Sequence, residues 1–419
     1  MSNAAIDQDR DLPSAPDVRP VPRISIQAFC DTPEFAALVE TASDDRRMAR
    51  AHVKIDMGSI EAAITHFQST ATPNLVIVET QLPPDQLQSA LDRLSDVCDP
   101  GTRVVVVGHI NDIGLYRSLI QRGVSEYLVM PIDLLTLIGT ISSLFSDAAS
   151  GPLGRSIAFI GAKGGVGSSM IAHNVAWAIA TDLVSDVVVA DLDLAFGTAG
   201  LDFNQDPAQG IAEAVNAPER LDDVLLDRLL ARCSDHLSLL AAPATLDRTY
   251  DFGEGAFEPV IEVAQAGVPV LILDLPHVWT SWARQTLLAA DEIVLTAEPD
   301  LANLRNAKNI IDLLKQGRRN DVPPRLVINK AGIAKRPEIK VSDFASALDI
   351  EPLVTIPFDA HLFGNAANNG QMIAETDVKN PVTDSFRQIA QAVTGRGEAK
   401  RAKRRMFGPL VDRLRRKSA

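Results

Sequence analysis

The sequence predicts an α/β protein in which one doubly wound parallel sheet is followed by a second. Short apolar runs typical of buried strands alternate with helical patterns over residues 23–148, and the alternation resumes over residues 155–394. Aromatic residues make up only 5% of the chain, whereas aliphatic residues abound, as expected for strands buried between helices. The stretch 149–154 contains two glycines and a proline and is predicted to link the two domains.

The strands of both domains can be assigned from these apolar runs. The first domain is predicted to contain five, at residues 23–29, 52–56, 74–79, 103–108 and 126–129. The second is predicted to contain seven, at residues 156–160, 187–191, 237–241, 270–274, 292–297, 325–329 and 353–357. Helical patterns lie between the strands, which favours right-handed crossovers and parallel pairing.

Composition excludes several classes of protein. Residues 1–22 are polar and rich in proline, so we expect a disordered leader without the apolar segment of a signal peptide. No apolar run reaches the roughly 18–20 residues that a membrane-spanning helix needs. Cys30, Cys98 and Cys233 lie far apart, which gives no indication of a disulfide framework or a metal site. A cytoplasmic protein is the simplest interpretation.

A Gly-rich segment follows the first strand of the second domain and precedes a helix. Its glycines allow successive backbone N–H groups to turn toward one anion, and the helix adds its positive N-terminal dipole. Ser169 occupies the position from which a P-loop hydroxyl binds Mg²⁺. The residues predicted to surround the phosphates are Lys163, Gly164, Gly165, Val166, Gly167, Ser168 and Ser169.

Polar residues at three other strand ends strengthen the nucleotide prediction. Asp191 and Asp193 follow one strand, Asp274 ends another, and Asn329 with Lys330 ends a third. Ligands of doubly wound sheets bind at the carboxyl ends of the strands, where all of these residues are predicted to lie. Two alternatives stay open: the aspartates could cap a strand-to-loop turn, and Asn329-Lys330 could lie in a solvated loop.

These motifs resemble the MinD/ParA family of ATPases with a deviant P-loop. Within that family, the segments 191–203 and 206–211 are similar to the CpaE/TadZ branch, the assembly proteins of the tight-adherence (Flp) pilus. The resemblance covers residues 155–393, and the N-terminal domain fits the same branch.

The resemblance implies ATP and Mg²⁺ as cofactors and a role for each motif residue. Lys163 would reach across an ATP-sandwiched homodimer to the partner's phosphates, and Asp193 would orient the attacking water. Asp191 and Asp274, together with Ser169, would lie near Mg²⁺. Asn329, followed by Lys330, matches the position that reads adenine.

One residue departs from the general P-loop pattern. Ser168 stands where that pattern has a lysine that binds the β- and γ-phosphates, and Ala162 stands at the pattern's first glycine. A neutral hydroxyl cannot replace a positive charge that balances the developing phosphate charge. We therefore expect weak or partner-dependent hydrolysis, with nucleotide binding retained.

The first domain resembles a response-regulator receiver whose chemistry is missing. An active receiver needs an acidic pair, a phosphoacceptor Asp, a Ser or Thr, and a Lys before Pro. The matching positions are Cys30-Asp31, Glu79, Gly108-His109 and Met130-Pro131. We expect an inert receiver fold that makes protein–protein contacts, and we interpret His109 as an ordinary surface residue.

The C-terminal segment 395–419 has ten Lys or Arg residues against two acidic ones, in a chain of net charge −14. Its apolar side chains lie among these cations, which is compatible with a solvated tail, contact with an anionic membrane surface, or binding to nucleic acid or an acidic partner. Trp279 and Trp282, beyond Asp274, could form part of an interface or pack in the core.

The sequence thus favours an ATP-binding localisation and assembly factor for a pilus secretion system, acting with its other components at the cell pole or inner membrane. A DNA-partitioning ATPase is the first alternative, although an acidic body makes DNA binding unlikely. A nitrogenase iron-protein type of enzyme would need paired cysteines. A nucleotide-free polar scaffold is the remaining alternative.

Overall fold

The computed structural model describes residues 18–145, 153–246 and 248–395. The chain divides into two compact units, Met1–Ala149 with Arg318–Val322, and Ser150–Gly317 with Pro323–Ala419. Each unit is an α/β domain built on a parallel sheet, as the sequence predicts. Within the described ranges, every helix is too short or too polar to cross a bilayer.

The first unit has five parallel strands in the order β2-β1-β3-β4-β5. Each strand begins and ends within two residues of its predicted position. The elements are β1 (Ser25–Cys30), α1 (Pro33–Ser43), β2 (His52–Met57), α2 (Ile60–Phe67), β3 (Leu75–Glu79), α3 (Pro84–Ser95), β4 (Arg103–Gly108), α4 (Ile113–Gln121), β5 (Glu126–Val129) and α5 (Leu134–Phe145).

The second unit has eight strands in the order β13-β12-β11-β6-β10-β7-β9-β8. Its first half comprises β6 (Arg155–Gly161), α6 (Ser168–Thr181), β7 (Val187–Asp191), α7 (Ala199–Asp202), α8 (Ile211–Asn216), α9 (Asp223–Leu229), β8 (Ala231–Arg232), β9 (Leu237–Leu240) and α10 (Glu258–Gly267). Its second half comprises β10 (Val270–Asp274), α11 (Ser281–Ala289), β11 (Glu292–Ala297), α12 (Leu301–Gly317), β12 (Arg325–Ala331), α13 (Val341–Leu348), β13 (Val354–Pro357), α14 (Ala360–Asn369), α15 (Ile373–Thr376) and α16 (Pro381–Val393).

Strand β8 is the element that the sequence did not predict. It pairs antiparallel with β9 at the edge of the sheet, with Ala231 opposite Leu239. Two residues are too few to produce a recognisable alternation of apolar and polar side chains, so the strand is defined only by its pairing with β9.

Alternating side chains place each sheet between two apolar layers. In β6, Ala158 and Ile160 pack into one core, whereas Ile157 and Phe159 pack into the other. Successive side chains of a strand point to opposite faces, so a strand covered on both faces is apolar throughout. The apolar runs that predicted the strands have this origin.

Two predicted boundaries differ from the structure. Val21, assigned to the leader, is fully buried, and its N–H donates to the Arg47 carbonyl at 2.7 Å. Gly154, assigned to the linker, donates its N–H to the Gln265 carbonyl at 2.6 Å, and a Cβ there would lie 1.8 Å from the Val268 carbonyl oxygen. Residues 1–17, the rest of the linker except Leu153, and the tail beyond Gly395 lie outside the described residues.

Candidate nucleotide-binding site

The predicted site residues gather at the carboxyl edge of the larger sheet. Strands β6, β10 and β7 are neighbours in that sheet, and Asp274 pairs in register with Asp191. Because parallel strands all end at the same edge, the P-loop after β6 and both carboxylates lie close together.

The segment between β6 and α6 forms a tight turn with an exposed arc. Gly165 and Gly167 have φ of +80° and +88°, which is the left-handed region that favours glycine. Lys163, Gly164 and Gly165 are exposed, whereas Val166 beneath them is buried. The N–H groups of this arc are therefore available to an anion at the beginning of α6.

Asn329 and Lys330 hold the loop from strand β12. The side-chain amide of Asn329 donates to the Val166 carbonyl at 2.8 Å, and its oxygen accepts the Lys330 N–H at 2.9 Å. The Lys330 ammonium donates to the Gly165 carbonyl and lies 3.1 Å from a Glu298 carboxylate oxygen. Neither residue lies in a free solvated loop, so that alternative is wrong for this pair.

A cavity of about 300 Å³ adjoins Asn329 and the end of the P-loop. Its wall is mainly apolar and includes Phe358, Phe363 and Met170. A flat aromatic base fits such a wall. The sequence prediction missed Phe358 and Phe363, although Phe358 directly follows the carboxyl end of β13, where ligand contacts are expected.

The residues predicted to approach Mg²⁺ form a buried polar cluster. The Ser169 hydroxyl donates to Asp274 Oδ1 at 3.1 Å. The two carboxylate oxygens of Asp191 accept the backbone N–H groups of Asp193 and Ala199, each at 3.1 Å. Burial, followed by the charge of Asp274, raises the pKa of Asp191 to about 7.

Asp193 lies at the rim of this cluster. Its carboxylate accepts the Phe196 N–H at 3.0 Å, and burial raises its pKa. Asp191 and Asp193 therefore do cap the turn after β7, as the simpler alternative expected. While it caps this turn, Asp193 also lies at the carboxyl edge of the sheet.

The cluster fits a magnesium ion that is shared with a phosphate. Carboxylate and hydroxyl oxygens are the hard donors that Mg²⁺ prefers, and Asp191 and Asp274 are buried carboxylates on adjacent strands. No group of three or more His, Cys, Asp and Glu with metal-binding geometry occurs among the described residues. Phosphate oxygens and water would have to complete the coordination, which is how Mg²⁺ is usually held with nucleotides.

His173 on α6 is a buried member of the cluster that the sequence prediction missed. Its Nδ1 lies 2.7 Å from Asp202 Oδ2, and its Nε2 lies 3.3 Å from Asp274 Oδ2. Burial by itself would lower the pKa of His173, but the contacts with Asp202 and Asp274 raise it to about 10. The signal in the sequence was a titratable residue within an apolar helical run, one turn after Ser169.

Two further residues distinguish this P-loop. The Ser168 hydroxyl is buried and has no hydrogen-bond partner among the described residues. His277, exposed just after β10, lies with Nδ1 3.1 Å from the Gly161 carbonyl oxygen. Neither side chain supplies the permanent positive charge that a lysine at position 168 would bring.

The two tryptophans near the site have different environments. Trp282 is 6% exposed, and its ring centroid lies 4.5 Å from that of Phe257 in the core. Trp279 is 55% exposed. The core interpretation is therefore correct for Trp282, and the interface interpretation stays a prediction for Trp279.

The receiver-like positions of the first unit form a closed arrangement. Glu79 is fully buried, and its carboxylate accepts the N–H of Thr32 at 2.7 Å and its hydroxyl at 2.8 Å. His109 Nε2 lies 3.3 Å from the same carboxylate. Burial, with the charges of Glu79 and Asp56, raises the pKa of the Cys30 thiol to about 12. Thr32 is a partner that the sequence did not reveal.

A parallel sheet with this loop, helix and acidic edge defines the second unit as a P-loop nucleotide-binding domain. No family model matches the chain. The septum site-determining protein MinD of Bacillus subtilis is 27% identical over 258 residues, which cover 58% of this chain and 90% of MinD.

A solved structure of a ParA family ATPase points to the same class. A ParA family ATPase from Chlorobium tepidum has a TM-score of 0.52 and 25% identity, covering 56% of this chain and 98% of the ATPase. The pilus assembly protein CpaE of Caulobacter crescentus is 51% identical over 31% of this chain and 98% of the CpaE structure, with a TM-score of 0.30. The chain is thus similar to MinD and to ParA family ATPases over more than half of its length.

Proposed function

We propose that the second domain binds Mg-ATP and that nucleotide occupancy switches the protein between a free and an assembled state. One observation carries the proposal: the exposed Lys163–Gly165 arc lies beside the Ser169–Asp274 pair. The arc suits the phosphates, and the pair suits Mg²⁺, which would neutralise charge on the β- and γ-phosphates. The cavity beside Asn329 suits the base.

The assembled state is proposed to be a homodimer with ATP between its subunits. Large apolar side chains are exposed after several strand ends at the edge that carries the P-loop, among them Phe196 at 74%, Leu301 at 73% and Trp279 at 55%. A second copy of the chain would remove this surface from water. Lys163, exposed at the same edge, would contact the partner's phosphates.

Hydrolysis is proposed to be slow without a partner. Ser168 cannot balance the negative charge that develops on the transferred phosphoryl group, whereas a lysine at that position could. Asp193 is proposed to orient water near the edge, although its carboxylate also accepts the Phe196 N–H. These features favour a nucleotide-dependent switch over rapid turnover.

The assembly that this switch serves is proposed to be a Flp-type pilus system. The similarity of residues 191–203 and 206–211 to the CpaE/TadZ branch supports this, and a CpaE pilus assembly protein occurs among the structural neighbours. The proposed location is the cytoplasm, at the cell pole and peripheral to the inner membrane. The basic segment that could contact lipid lies outside the described residues.

ATP binding and molar mass in solution test the switch. We expect Mg-ATP to convert the wild-type chain to a dimer, measured by light scattering, and Lys163→Ala to abolish the dimer. Lys379→Ala, which removes another exposed lysine, is the matched control. Ser168→Lys should raise the hydrolysis rate.

Two results would favour the alternatives. Absence of ATP binding at millimolar concentration with Mg²⁺ would leave the nucleotide-free scaffold. Salt-sensitive binding to DNA, with a dimer that does not require Lys163, would favour the partitioning ATPase.

A further inference from the structure

Both carboxylates predicted to approach Mg²⁺ also anchor the short helix α7. The Ala199 N–H, at the beginning of α7, donates to Asp191 Oδ2 at 3.1 Å. At the end of α7, Asp202 contacts His173 Nδ1, and His173 Nε2 faces Asp274 Oδ2. The helix is therefore tied to the cluster at each end.

The connection between Asp191 and the segment before α7 is also tight. A Cβ at Gly197 would lie 2.3 Å from Asp191 Oδ2, so the backbone there rests against the carboxylate. At the other end, the Phe203 ring lies 5.2 Å from the His173 ring. Any movement of Asp191 or Asp274 must therefore be followed by α7 or break these contacts.

The outer face of this segment is apolar and exposed. Phe196 precedes the Ala199 anchor, and Leu201, which is 72% exposed, lies between the Ala199 and Asp202 anchors. Four residues of helix have little stability of their own, because a single turn makes too few hydrogen bonds to offset its ordering entropy. The position of Leu201 thus depends on the anchors rather than on the helix.

We propose that His173 is a positioning residue that links Asp274 to α7, so that Mg-ATP binding restrains α7 and presents Phe196 and Leu201 to the second copy of the chain in the proposed homodimer. The inference rests on the proposed function, since it takes Mg-ATP as the ligand of Asp191 and Asp274. His173 contacts no phosphate position; it acts through Asp274 on one side and Asp202 on the other.

Hydrogen exchange of the full-length chain, with and without Mg-ATP, tests the link. In the wild type, Mg-ATP should slow the exchange of amides in 199–203 by about fivefold or more, in the range of usual allosteric couplings. Amides in 164–169 report nucleotide binding itself. Asp202→Ala should lose the slowing in 199–203 and keep it in 164–169.

Two variants complete the experiment. Asp202→Asn keeps an oxygen that can accept from His173 Nδ1, so the slowing should return. Asp206→Ala removes an exposed carboxylate from the loop that follows α7 and should behave as the wild type. Because coupling is reciprocal, Asp202→Ala should weaken Mg-ATP binding by no more than the factor by which it reduces the slowing of exchange in 199–203.

The outcomes separate the two proposals. If the wild type shows no slowing in 164–169, Mg-ATP does not bind and the proposed function fails, together with this inference. If 164–169 is slowed but Asp202→Ala retains the slowing in 199–203, the link through His173 is wrong and the proposed function stands. Loss of the slowing in both Asp202→Ala and Asp202→Asn would also overturn the link, since the acceptor oxygen would then not suffice.

Discussion

The two domains place buried carboxylates at the same edge of similar sheets but use them differently. In the first domain, Glu79 accepts two hydrogen bonds from Thr32 and faces His109, so its charge is satisfied within the protein. In the second, Asp191 and Asp274 are buried next to each other, and the pKa of Asp191 is raised even though His173 faces Asp274. The first arrangement is closed, and the second is open to a cation.

This difference teaches how to distinguish a functional edge from an inert one in a doubly wound fold. A doubly wound sheet and a position at its carboxyl edge are common to both domains, so neither identifies a site. The distinguishing property is whether the buried charges are balanced without a ligand. A Gly-rich loop with exposed N–H groups lies beside Asp274, and none is described beside Glu79, which favours the second domain as the nucleotide site.

The largest effect is expected at the closed edge. Glu79→Ala should lower the free energy of unfolding of the first domain by about 3 kcal/mol, because it leaves the half-buried N–H and hydroxyl of Thr32 without their acceptor and removes charge-assisted hydrogen bonds. Hydrogen exchange of the β3 amides in increasing urea would measure this in the full chain. Glu40→Ala, at an exposed position of α1, should change the stability by less than about 0.5 kcal/mol. A loss below about 1 kcal/mol for Glu79→Ala would show that Thr32 finds other acceptors.

At the open edge, three glycines should differ in their tolerance of a Cβ. Gly167→Ala should lower the free energy of unfolding by about 2 kcal/mol, since its φ is +88° and the Cβ would lie 2.7 Å from Asn329 Nδ2. Gly165→Ala should cost about 1 kcal/mol, from its φ of +80° alone. Gly164→Ala should cost nearly nothing, because its Cβ would meet only His277, at 3.6 Å.

Urea unfolding followed by tryptophan fluorescence measures this series, because all three tryptophans of the chain lie in the second domain. Equal losses for Gly167→Ala and Gly164→Ala would mean that the loop is not held in the described conformation.

The smallest effect concerns pH at the open edge. The pKa of Asp191 rises from 3.8 to about 7 on folding, so the folded protein holds this proton more tightly than the unfolded chain does. The stability that Asp191 contributes therefore falls as the pH rises from 4 to 7. Relative to Asp191→Asn, the wild type should lose about 1 kcal/mol between about pH 6 and pH 7.

Tryptophan-detected unfolding in EDTA, which keeps Mg²⁺ from competing with the proton, measures that difference. For Asp206→Asn, at an exposed position, the free energy of unfolding should change with pH in parallel with that of the wild type. Parallel curves for Asp191→Asn as well would mean that Asp191 is ionised throughout the range in the folded protein.

Much of the fold and part of the site could be predicted from the chain alone. Strand positions followed from apolar runs because both faces of each sheet are covered, as in β6 and β10. The P-loop and Asp274 were found because a local motif and a strand end each leave a signal in a few consecutive residues. The boundary at Val21 was missed because its burial depends on a distant contact with Arg47.

The sequence by itself therefore determined the two parallel sheets, their carboxyl edges and the Gly-rich loop, since each depends on the order of neighbouring residues. Tertiary structure alone decided which polar groups became partners. His173 meets Asp202 across 29 positions, and Thr32 meets Glu79 across 47. Contacts between residues that are distant in the sequence depend on how strands and helices pack. A local sequence pattern does not show which distant residues come close in space.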